Sequence, residues 1–103
     1  MTNARTSESQ IAKAVLRVLA VAPNGEATIS QLVKHVPSEV SLTAGDRQQS
    51  GTREGEQLWE QIVRNIVSHQ KTEGNIIAEG FANSPSRGKL RITEAGRKHV
   101  QNM

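Results

Sequence analysis

The chain has no cysteine, no tyrosine, a single tryptophan and a single phenylalanine among its 103 residues. Without thiols there is neither a disulfide framework nor a thiolate metal site, and a reducing compartment suits the composition. With aromatics this scarce, the core must come from Ile, Val, Leu and Ala. A domain of this size buries only about 60 to 65% of the surface its unfolded chain exposes, so one core of ordinary or low stability is expected. No stretch approaches the roughly 20 apolar residues of a membrane span, and the first ten residues contain no apolar run of signal-peptide type. The expectation is a soluble, cytoplasmic protein with no membrane partner.

What is present in modest excess is positive charge. Thirteen Lys and Arg face ten Asp and Glu, a formal net charge of +3. From Glu79 to the C-terminus five basic residues stand against two acidic ones, so the last quarter of the chain accounts for the whole net charge. That distribution suits a polyanionic partner.

Residues 1–6 are expected to be a disordered tail, residues 7–101 one domain, and residues 102–103 a short tail. Ser7 and Gln10 have capping-box spacing, and Ile11, Ala14, Val15, Val18, Leu19 and Ala22 follow at helical intervals until Pro23-Asn24-Gly25. Thr28 and Gln31 repeat that spacing before a short helix carrying Ile29, Leu32, Val33 and Val36, which Pro37 closes. Residues 37–55 form a polar stretch longer than most loops in compact domains, either a functional loop or one hiding a short helical turn.

From about Glu54 to Lys71 the spacing predicts the strongest amphipathic helix, with Leu58, Trp59, Ile62, Val63, Ile66 and Val67 on one side. Gln57, Gln61, Arg64 and Ser68 fall opposite, with Lys71 nearby. Glu54, Glu56 and Glu60 sit where they complement the helix dipole. After Thr72-Glu73-Gly74-Asn75, two runs, Ile76 to Phe81 and Lys89 to Thr93, read as a hairpin around residues 82–88. In the second run Leu90 and Ile92 are expected to face inward and Lys89, Arg91 and Thr93 outward. Thr93 then caps a short helix over residues 94–101.

The predicted class is α+β: three helices, a two-stranded hairpin and a short last helix, the order of a winged helix-turn-helix. In that arrangement the third helix enters the major groove of DNA, where Arg and Gln can read purine edges, and the basic hairpin, or wing, neutralises phosphates or reaches the minor groove. The candidate DNA-binding residues are Gln57, Gln61, Arg64, Ser68 and Lys71 on the helix and Ser86, Arg87, Lys89 and Arg91 on the wing. Arg87, in the small-residue turn Ser84-Pro85-Ser86-Arg87-Gly88, is the best candidate for groove insertion. Each feature also has a plainer explanation. Every amphipathic helix has a solvated side, and basic residues on an edge strand guard against aggregation. Three glutamates near the helix start oppose docking by that end, so contact through its middle is expected.

The sequence also resembles a known family, the N-terminal winged-helix domain of Mrr-type restriction system proteins. The resemblance is carried by Asp46-Arg47, by Ser50-Gly51 before the third helix, by the Trp59 to His69 helix, and by Arg91-Ile92-Thr93-Glu94-Ala95-Gly96-Arg97 closing the wing. It implies a DNA-binding module usually attached to a separate nuclease domain, and that domain is not expected in this chain.

Catalysis is not expected. A metal-dependent nuclease of the class that the resemblance implies would need an acidic cluster with a Glu-x-Lys or Asp-x-Lys strand, and neither tripeptide occurs. His35, His69 and His99 are too widely spaced for a sequence-local metal motif, and no P-loop is present. Trp59, beside Ile62, Val63 and Ile66, reads as a core anchor. The expectation is therefore double-stranded DNA binding, sequence-tolerant or sequence-specific, without cofactor, metal or small-molecule substrate, as in a transcriptional or nucleoid-associated regulator. The alternative is a protein–protein interaction module, with a protein partner or a second copy of the chain in place of DNA.

Overall fold

The first helix begins where its capping box places it. In the structure, a computed structural model that describes residues 7–49 and 55–103, the Ser7 hydroxyl accepts the Gln10 amide and the Gln10 side chain accepts the Ser7 amide. Helix α1 runs Glu8–Val21. Ile11, Ala12, Ala14, Val15, Leu16, Val18 and Leu19 are all buried, too broad an arc for a helix lying on a surface. This helix is the centre of the molecule, and every other helix and strand β3 pack on it.

After α1 the chain reverses through Pro23–Gly25, where Asn24 and Gly25 both have positive φ. Gly25 is required on a second count: a Cβ there would meet Ile92 and the guanidinium of Arg97 at under 3 Å. Strand β1, Glu26–Thr28, follows at once. Thr28 then caps α2, Ile29–His35, through the second capping box. Val36 begins a single 3-10 turn to Ser38 and is fully buried.

The polar loop, as far as it is described, is ordered by a reciprocal pair. The Thr43 amide donates to Asp46 Oδ2 at 2.8 Å and the Asp46 amide to Thr43 Oγ1 at 3.1 Å. Asp46 is fully buried. The carbonyls of Gln48 and Asp46 then accept the amides of Leu58 and Trp59, two donors that a helix start leaves without an internal partner. The loop is thus the N-terminal cap of α3, and α3 runs Leu58–Ser68, shorter at both ends than the expected span from Glu54 to Lys71. Glu54 itself lies outside the described residues, as do Ser50-Gly51 and the expected tail, 1–6. At the other end Asn75 Nδ2 donates to the Ile66 carbonyl at 2.9 Å, and Lys71 falls beyond the helix.

The first strand of the hairpin differs from its expected position. Residues 76–81 form turns, because Asn75 Oδ1 accepts the Ile77 amide at 2.7 Å and the Asn75 carbonyl accepts the Glu79 amide. Two adjacent β-branched residues, Ile76 and Ile77, imitate a strand in sequence. Pairing begins only at β2, Ala82–Asn83, which meets β3, Lys89–Ile92. The other edge of β3 pairs antiparallel with β1, in register Glu26 with Arg91, Ala27 with Leu90 and Thr28 with Lys89. The result is a three-stranded antiparallel sheet in the order β1-β3-β2, not an isolated hairpin. Ala27, Leu90, Ile92 and Ala82 point into the core, while Glu26, Thr28, Arg91 and Asn83 lie on the other face. The architecture is α+β, with four helices and this small sheet.

Helix α4, Glu94–Gln101, starts at Thr93, whose hydroxyl accepts the Gly96 amide and donates to the Gly80 carbonyl. Gly96 is needed because a Cβ there would collide with the Phe81 carbonyl oxygen and with Ile92. Thr93 and Gly96 therefore lock α4 onto the turn that precedes β2. Arg97 is also a structural residue: Nη1 reaches the Ala20 carbonyl at 3.4 Å, and the guanidinium lies against Gly25. His99 stacks on Phe81, with ring centroids 4.2 Å apart.

Candidate nucleic-acid interface

Three side chains fix how α3 is rotated. Trp59, Val63 and Ile66 are buried against the rest of the core, and the opposite arc of an α-helix then holds Gln61, Arg64 and Ser68. Those three expected residues share one outward surface. Ser68 is exposed, Gln61 and Arg64 half-exposed. Gln57, expected beside them, is instead the residue before the first turn. Its Oε1 accepts the Trp59 indole N–H at 2.8 Å and its amide donates to Glu60. Its carboxamide oxygen thus serves the core. Lys71 is exposed in the turns after α3.

Arg64 is held from within the chain. Its Nε donates to Glu56 Oε2 at 2.9 Å, and the glutamate side chain is the more sunken of the two, at 12% exposure against 41%. Sequence reasoning missed this pair. Glu56 precedes the helix, so the i, i+4 rule for helix-surface pairs does not reach it.

The β2–β3 turn presents the second group. Ser84 Oγ lies 3.1 Å from the Ser86 carbonyl and 3.0 Å from that of Lys89, which closes the turn over residues 84–88. Pro85, Ser86 and Arg87 are exposed at its tip. Among the described residues, Arg87 makes no ion pair and no side-chain hydrogen bond. Arg91 is exposed on the outer sheet face, in register between Glu26 and Asn83. Lys89 on that same strand lies 3.6 Å from Glu26, with both side chains about a third exposed, at 36% and 28%. This second carboxylate partner arrives on β1, a strand of three residues that is too short to show alternation in sequence. Two sets of outward polar and basic groups therefore exist, one on α3 and one on the turn and outer face of β3.

A groove of 590 Å³ opens beside the sheet, lined in part by Val18, Val21, Pro23, Ala27 and Gln31, with Lys89 on its edge. Val21 is 84% exposed there. A smaller cleft of 330 Å³ lies between the start of α1 and the turns after α3, where His69 Nδ1 is 3.3 Å from Glu8 Oε1. Among the described residues, no group of three His, Asp or Glu side chains is placed to hold a metal ion, and no helix is long and apolar enough to cross a membrane.

The chain is a small α+β domain that carries a polar helix face and a basic turn on one hydrophobic core. It matches the family model of the Mrr N-terminal domain over residues 9–102, nearly its whole length, and belongs to that family. No curated protein and no solved structure matches it significantly.

Proposed function

We propose that the chain is a winged-helix module that binds double-stranded DNA, with α3 in the major groove and the β2–β3 turn on the flanking backbone or minor groove. The order α1-β1-α2-α3-β2-β3-α4, the sheet order β1-β3-β2 and membership of the Mrr N-terminal domain family support the winged-helix reading. The observation that carries the DNA reading is the pair of outward arrays, Gln61, Arg64 and Ser68 on α3 and Arg87 with Arg91 on the turn and β3. Arg and Gln on a helix can pair with base edges, and Arg and Lys on a hairpin with phosphates. Ser86 and Lys89 extend the wing contact, and Lys71 reaches the backbone beyond the helix end. Gln57 positions the helix through Trp59 more than it reads bases. In this role the module catalyses nothing itself, works without cofactor or metal, and acts in the cytoplasm at the nucleoid, as a transcriptional or nucleoid-structuring protein would.

One observation favours a second reading, docking of a protein partner. The groove beside β1 exposes Val21 among other apolar side chains, and Lys89 on its edge is already paired with Glu26. Titration of a labelled mixed-sequence duplex at 50 and 200 mM salt separates the two. DNA binding through several phosphates loses orders of magnitude in affinity between such concentrations. Absence of duplex binding at the lower salt would leave the protein-docking reading.

A further inference from the structure

Arg64 stands in the middle of the outward face of α3, yet it is not a freely swinging cation. It is bound through Nε, at 2.9 Å, by a carboxylate that is itself mostly sunken. A guanidinium held at Nε keeps its Nη1–Nη2 edge as the leading edge of the side chain. That edge is the fork that pairs with O6 and N7 of guanine. A long side chain oriented beforehand loses less conformational freedom when it makes such a contact. We infer that Glu56 is a positioning residue, which aims Arg64 at a guanine in the major groove. The inference rests on the DNA-binding reading above.

The same chain holds a contrasting pair. Glu26 sits 3.6 Å from Lys89, beyond hydrogen-bond distance and between two part-exposed side chains. A carboxylate in that relation lowers the local positive potential and orients nothing. Glu26 thus masks charge, which weakens every duplex alike, whereas Glu56 aligns a fork, which separates one base pair from another.

Fluorescence anisotropy with a panel of duplexes that differ by single base pairs, at one fixed salt concentration, tests the distinction. Glu56→Gln removes the charge and keeps the size. It should leave the weakest duplex bound as well as before or better, while the spread between the best and worst duplexes shrinks about three- to tenfold, part of the loss expected when a bidentate contact is degraded. Arg64→Lys keeps the charge and removes the fork, so it should shrink the spread at least as far. Glu26→Gln should tighten all duplexes by a common factor and leave the spread intact. Trp59 emission and a thermal melt establish that each variant is folded. If Glu56→Gln does not fold, Glu56→Asp, which keeps the charge but shortens the reach to Arg64 Nε, takes its place with the same shrinkage of the spread expected.

A uniform gain across the panel for Glu56→Gln, an unchanged spread for Arg64→Lys, or a wild-type protein that binds all duplexes equally would each overturn the positioning role while leaving DNA binding intact. Failure of the wild-type chain to bind any duplex would instead remove the DNA-binding reading itself, and the inference with it.

Discussion

Single residues in this domain divide sharply between those that hold the fold and those left outward. Gly96 is the clearest of the first kind, since a Cβ there would collide with the Phe81 carbonyl and the Ile92 side chain. Gly96→Ala has to displace backbone, so it should destabilise the domain by about 1–3 kcal/mol, as overpacking does; a urea unfolding midpoint equal to wild type would show that the contact relaxes at no cost. The Thr93-x-x-Gly96 spacing and the helix cap it implies are legible in the sequence. The reason for glycine is not, because the atom it must avoid belongs to Phe81, fifteen residues earlier. Trp59 is likewise readable as a core anchor from its place among Ile62, Val63 and Ile66, and it is 3% exposed. The engagement of Gln57 by its indole N–H was hidden, since a helical wheel assigns a direction to a side chain without saying which neighbour folds back on it. Glu56 with Arg64 and Glu26 with Lys89 were hidden for a related reason: both pairs join segments whose meeting is decided by tertiary structure.

At the level of elements, the helices and strand β3 were legible, while β1 and the place of β2 were not. Two capping boxes, Ser7 with Gln10 and Thr28 with Gln31, mark the starts of α1 and α2 to the residue, because a cap is a local hydrogen-bond arrangement. At α3 the local pair Gln57 with Glu60 is joined by the carbonyls of Asp46 and Gln48, which accept its first amides from a distance, and the sequence pattern overran the start. Strand β1 exists only because β3 is there to pair with it, and the Ile76–Ile77 segment turns because Asn75 captures its amides. The two outward elements should respond differently to substitution. Arg87→Ala at the turn should weaken all duplexes about equally and reduce the slope of log K against log salt by about 1, as loss of one phosphate contact does. Arg64→Ala on α3 should weaken the preferred duplex by about 1–3 kcal/mol more than a poor one. Salt-dependent titrations of both variants on two duplexes check this, and identical behaviour of the two would contradict the division of labour.

For the whole molecule, the hydrophobic core is built around α1, and α3 and the β2–β3 turn are among the elements that turn polar surface outward. On the proposed role as a binding module that catalyses nothing itself, rigorously purified protein should not nick supercoiled plasmid with Mg²⁺ or Mn²⁺; nicking that disappears on mutation of a carboxylate in this chain would refute that. The overall class, α+β with helices before a basic hairpin, was legible, while closure of the sheet by β1 depended on a pairing across 61 to 65 residues of sequence. On the proposed reading, DNA meets this domain on α3 and the wing together. Amide chemical-shift mapping during titration with a mixed-sequence duplex tests it most directly. The largest perturbations should fall within residues 57–68 and 84–91, with the amides of α1 nearly unmoved. Perturbations that spare both segments, or that gather instead around Val21, Pro23 and Ala27 at the groove, would contradict it.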